Sequence, residues 1–132
     1  YRLLKHPNLG LQQPQEPHFG GQVYALMNGG SFSTSCEFLS MLHYHRRAKF
    51  IGEEAAGGYY GCTAGQFVHV VLPNSKVVLR FGLVTYYQAV TGYRHADRSV
   101  IPDYPVRHSI ADLMSGKDKG LELALSLARG EK

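Results

Sequence analysis

Hydrophobic residues along this chain come in short runs separated by glycine, proline and serine. Residues 22–27 (QVYALM) form the first run, enriched in β-formers, and predict a buried strand. Asn28-Gly29-Gly30 ends it. From Ser33 to Arg47 the period lengthens. Phe38, Leu39, Leu42 and then His45 or Arg46 recur at spacings of three and four, which predicts a helix. Residues 48–51 (AKFI) predict the next strand, and residues 52–65 read as a long loop holding five glycines. Residues 66–72 and 76–83 predict two strands around Pro73-Asn74-Ser75, a hairpin turn, with residues 84–90 continuing as strand. Residues 91–107, with Pro102 and Pro105, read as irregular. A short helix opens at Ser109, and Asp118 caps a last one whose Leu121, Leu125 and Ala128 keep helical spacing. Residues 1–21, rich in Pro, Gln, Gly and His, show neither period and read as loop or linker.

Strand, glycine turn, helix, strand is a β-α-β unit, and strands alternating with helices predict an α/β class. At 132 residues the chain is one domain or part of one. The division expected is residues 1–21 as a linker from an upstream segment and residues 22–132 as one folded core. The chain starts at Tyr1 with no initiator Met and no visible signal peptide, so an upstream segment is expected. Fourteen Lys plus Arg against ten Asp plus Glu give a net charge of +4. Apart from Arg46-Arg47 the cations are scattered, which argues against a nucleic-acid partner. No apolar run approaches the roughly 20 residues needed to span a bilayer. Cys36 and Cys62 lie in no CxxC or Cys/His metal spacing and read as free thiols. Neither a metal nor an organic cofactor is called for.

The segment with chemical promise is Asn28-Gly-Gly-Ser-Phe-Ser33-Thr-Ser-Cys-Glu37. A strand ends, glycines turn the backbone, and serines open a helix. A serine there exposes its hydroxyl beside the unbonded N–H groups of the first turn, where the helix dipole favours negative charge. The oxyanion of an acyl intermediate needs such donors. The plainer reading is an ordinary helix cap. With Thr34 as the cap, Glu37 completes a capping box; with Ser33 as the cap, Cys36 takes that place, and spacing does not choose between them.

The stretch MNGGSFSTSCEFLSMLHYHRRAKFIGEEAAGGYYG resembles the core motif of the C-terminal processing (tail-specific) serine peptidases. In that family an Asn-Gly turn leads to a Thr/Ser-x-Ser nucleophile motif, a helix, Arg-Ala, a strand and a Gly-Glu glycine loop. The matching elements are Asn28-Gly29-Gly30, Ser31-Phe32-Ser33, Arg47-Ala48 and the run from Gly52-Glu53-Glu54 to Gly58. The stretches 72–75 (LPNS) and 100–103 (VIPD), then Asp118 with Leu121, are similar to the family as well, so the resemblance runs over residues 18–129. It implies a crotonase-like or Clp-protease-like core of β-β-α units, incomplete without an upstream segment. It also implies a polypeptide substrate, a periplasmic or extracellular setting, and compatibility with a homo-oligomer.

On this resemblance Ser33 is the nucleophile, the Thr34 N–H is an oxyanion donor, and Gly29, Gly30, Gly57 and Gly58 line the site. Ser31 and Ser35 are the neighbours most easily mistaken for Ser33. Members with a Ser-Lys dyad carry lysine where this chain has Gly58, and Lys49 does not match it, so the chain is closer to the tricorn-like branch, in which an upstream histidine serves as base. Of the seven histidines, His6 and His18 precede the serine but align with nothing in the family. His43 and His45 lie ten and twelve positions into the helix, roughly 15 Å away, and read as a solvated helix end. As i and i+2 they also make a poor metal pair. The base is therefore expected outside these residues, leaving the fragment inactive alone. Asp97 is a candidate downstream acid, with a solvated loop carboxylate as the competing reading. A non-catalytic ligand- or lipid-binding module is the alternative function, since retinoid-binding proteins of the photoreceptor matrix share the fold.

Overall fold

The computed structural model describes residues 10–131. Residues 10–21 carry neither helix nor strand, as expected, and the rest of the predicted linker lies outside the described residues. Strand β1 (Val23–Met27) leads into helix α1 (Thr34–Tyr44), which returns the chain to strand β2 (Ala48–Gly52). The two strands are parallel, with Val23 opposite Ala48 and Met27 opposite Gly52. Parallel neighbours need such a crossover, so the β-α-β reading holds here.

The glycine-rich stretch after β2 holds β3 (Gly61–Thr63), followed by β4 (Phe67–Val71), β5 (Val78–Gly82) and β6 (Thr85–Tyr87). β4 and β5 form the predicted antiparallel hairpin, Val71 facing Val78. β3 pairs with β6, so 61–87 is one long two-stranded ribbon, joined through its middle by Ala64 N–H to Val84 O and Leu83 N–H to Gln66 O. β3 was expected as loop. Three residues are too few to show a period, and it is strand only because β6 lies opposite.

The expectation that 91–107 is irregular fails at one place. β7 (Tyr104–Pro105) pairs in parallel with the end of β2, giving the sheet order β1-β2-β7. Before it, Asp103 Oδ2 accepts from the Phe50 N–H at 2.9 Å, replacing a ladder bond that the short strand does not reach. Helices α2 (Ile110–Met114) and α3 (Lys119–Arg129) end the chain. Ser109 caps α2 with a full capping box to Asp112, and the Asp118 carboxylate caps α3 by accepting from Leu121 N–H. Helices and a parallel sheet make this an α/β fold.

β2 is central and buried on both faces. Phe50 packs with Met27, Cys36, Leu39, Tyr59, Val90 and Val100 on the α1 side. Ile51, fully buried, points the other way by strand alternation. There α3 covers the sheet, with Gly120 and Ala124 buried and the Tyr24 hydroxyl donating to Leu127 O. The stripe that showed helical spacing, Leu121 and Leu125, is left half exposed. Small residues, not large ones, bring α3 close to the sheet.

Candidate active site

The site is built where β1 turns into α1. Asn28 shapes the turn: its Oδ1 accepts from Gly30 N–H at 2.8 Å and its carbonyl from Ser31 N–H at 2.8 Å. The Ser31 hydroxyl accepts from the Asn28 N–H at 3.1 Å, so this oxygen serves the turn. Ser35 lies exposed within the first turn of α1. Ser33 differs from both. It is the N-cap residue of α1, yet its side chain makes no capping bond, and its backbone has φ 56° and ψ −128°. A non-glycine residue there carries about 1–3 kcal/mol of strain, and such strain collects at functional sites. The same sharp strand-to-helix turn exposes the serine of unrelated acyl hydrolases. The capping-box alternative with Thr34 as cap does not form. The first helical bond runs from Glu37 N–H to Ser33 O, so the N–H groups of Thr34, Ser35 and Cys36 have no intrahelical acceptor.

Two other segments close around this turn. Ala56 N–H donates to Ser31 O at 3.1 Å, fixing the glycine loop to it. Gly57 then passes so near that a Cβ there would lie 2.5 Å from Cys36 Cβ and 3.3 Å from Ser33 N. Only glycine lets the loop approach that far. From the third segment, the Ser99 hydroxyl meets Cys36 Sγ at 2.9 Å, both groups buried. Between the second and third segments lies an open cleft of ≈ 380 Å³ lined by Glu54, Gly57, Gly58, Asp97 and Arg98, among others. Asp97, Gly57 and Gly58 thus share one wall system, and Gly57 joins it to Ser33. Gly29 and Gly30 stand in the Asn28 turn and are not among the cleft's lining residues.

Glu54 is the charged centre of the cleft. Its carboxylate accepts from Arg98 Nε and Nη2 and from the Ser99 N–H at 3.1 Å. The Arg98 hydrogen bonds, foremost, hold this carboxyl below its ordinary range. Sequence reasoning assigned this link to no one, because Glu54 and Arg98 are 44 positions apart and no spacing rule connects them.

The histidines sort differently from expectation. His18 pairs with Glu16 at 2.9 Å on the surface, and His6 lies outside the described residues. His43 is half-buried, not a fully solvated helix end. Its Nδ1 bonds the Tyr59 hydroxyl at 2.9 Å, and its ring packs edge-on to Tyr59 and Tyr93, which stack at 3.9 Å. Burial lowers its pKa, against a smaller upward pull from Asp103. Only His45 keeps the exposed position that suits a helix end. Cys36 and Cys62 are both free. Among the described residues no three His, Cys, Asp or Glu side chains stand together as metal ligands would, and no helix is long and apolar enough to cross a membrane.

The model of peptidase family S41 matches residues 5–106. Among solved structures, the chain is similar to one described as "a putative peptidase from Parabacteroides merdae ATCC 43184", with TM-score 0.61 and 23% identity. The match covers 86% of this chain and 34% of that one, so the chain spans about a third of its length. At this identity the likeness shows the fold. No curated protein matches the chain.

Proposed function

The chain belongs to peptidase family S41, the C-terminal processing peptidases, and on that premise we propose that it carries the nucleophile of a serine endopeptidase. Ser33 attacks the scissile carbonyl of an extended polypeptide near its C-terminus. The Thr34 N–H, unbonded at the positive end of α1, receives the oxyanion. An acyl-enzyme forms at Ser33 Oγ as the amine leaves, and water then releases the acid. The observation carrying this reading is the strained Ser33 backbone with its hydroxyl unused as a cap. Ser31 spends its hydroxyl on the turn, which supports Ser33 over it.

In this reading a histidine from the rest of the full-length protein is the general base, since Gly58 replaces the dyad lysine and His18 is engaged by Glu16. Asp97, on the cleft wall, is the candidate for orienting it. The full-length core is crotonase-like, and its setting is periplasmic or extracellular.

The test uses the full-length natural protein and a fluorophosphonate probe, with peptide mass spectrometry to locate the adduct. An adduct on Ser33 that disappears in Ser33→Ala is expected. An adduct on another serine, or none from folded protein, overturns the assignment.

A further inference from the structure

We propose that Glu54, through Arg98 and Ser99, is a positioning residue that clamps the glycine loop against the Ser33 turn. This rests on the peptidase reading of that turn.

Four links form a closed circuit around the nucleophile. Ala56 N–H reaches Ser31 O. Gly57 abuts Ser33 N and Cys36. Cys36 Sγ meets the Ser99 hydroxyl. Glu54 closes the ring by receiving the Ser99 N–H and two nitrogens of Arg98. Ala55 N–H to Val100 O, at 3.3 Å, runs beside it. Three links are short-range and neutral. The fourth is a charged, forked pair, and a planar guanidinium held at two nitrogens fixes orientation as well as distance.

Magnitudes separate this role from a folding role. The two side chains keep 31% and 49% of their surface exposed, and pairs so exposed to solvent add little to stability. Position is costlier to lose, since a displacement of about 1 Å at a reacting centre slows a reaction about 100-fold. Breaking the clamp should therefore be read in rate far more than in melting temperature. Arg98 is committed to Glu54, which leaves Asp97 as the other carboxylate of the cleft wall.

The experiment measures fluorophosphonate inactivation of the full-length protein, separating the maximal rate from the probe's half-saturation, together with melting temperature and amide exchange. Glu54→Gln keeps size and loses charge. It should slow maximal labelling roughly 10-fold to 100-fold with half-saturation and melting temperature little changed. Arg98→Lys should fall between, and the reversed pair Glu54→Arg with Arg98→Glu should recover most of the lost rate. Glu122→Gln, which removes the surface partner of Lys117, should label as wild type does. Amides 55–58 should exchange faster in Glu54→Gln. Wild-type labelling by Glu54→Gln overturns the proposal while leaving the peptidase reading standing. If wild type itself takes no label, the peptidase reading falls, and exchange alone decides: faster exchange upholds the clamp and unchanged exchange overturns it.

Discussion

The strands of the central sheet and those of the ribbon look alike in sequence and differ in what surrounds them. VYALM and AKFIG at β1 and β2 are no more apolar than FVHVV and VLRFG at β4 and β5. Yet Phe50 and Ile51 are buried, whereas Val71, Val78, Leu79 and Phe81 keep about half their surface. The sheet has α1 on one face and α3 on the other, and its strands are held by packing. The ribbon strands have each other, so a backbone ladder and cross-strand pairs hold them. One such pair carries a cation: Arg80 lies 3.9 Å over the Phe67 ring. Hydrophobic content states that a segment can be buried, and the number of layers against it determines whether it is.

The largest effect should come from the sheet. Ile51→Ala removes a side chain with no exposed surface and should cost about 2–5 kcal/mol by urea unfolding. A cost below 1 kcal/mol would erase the contrast. Next is Gly57→Ala, whose new Cβ would press on Cys36 Cβ at 2.5 Å and Sγ at 2.9 Å. We expect a loss of about 1–3 kcal/mol and slower labelling at Ser33. Ser33→Gly should go the other way, releasing strain and stabilising by about 1 kcal/mol while abolishing labelling. No gain would mean that the unusual backbone at Ser33 stores no strain.

A pH titration sharpens the comparison further. Burial puts the folded pKa of His43 below its unfolded value. The unfolded chain then binds the extra proton, so stability from this group is complete above about pH 6.5 and is lost as pH falls towards the folded value. The facing groups are Asp103, Tyr59 and Tyr93. Denaturant midpoints of wild type and His43→Phe should converge over that window, and parallel curves would refute the assignment. The smallest effect belongs to the ribbon. Val78→Thr, on a residue 56% exposed, should change stability by under about 0.5 kcal/mol.

Much of this was legible in the residues themselves. The β1-α1-β2 unit, the hairpin, the Asp118 cap and the family motif all rest on neighbours within a few positions, where propensity, period and turn chemistry act. The serine cluster was legible too, with Ser33 separated from Ser31 by the resemblance. Other features were beyond reach. The strands β3 and β7 exist because distant partners offer them hydrogen bonds. His43 is partly buried because Tyr59 and Tyr93 pack against it. The strain at Ser33 arises where the turn, the glycine loop and the segment at Ser99 converge. The chain determined by itself which local elements form, since those depend on contacts close in sequence. Tertiary structure alone decided which apolar faces are covered and which groups meet around Ser33, because burial and electrostatic pairing depend on residues tens of positions apart.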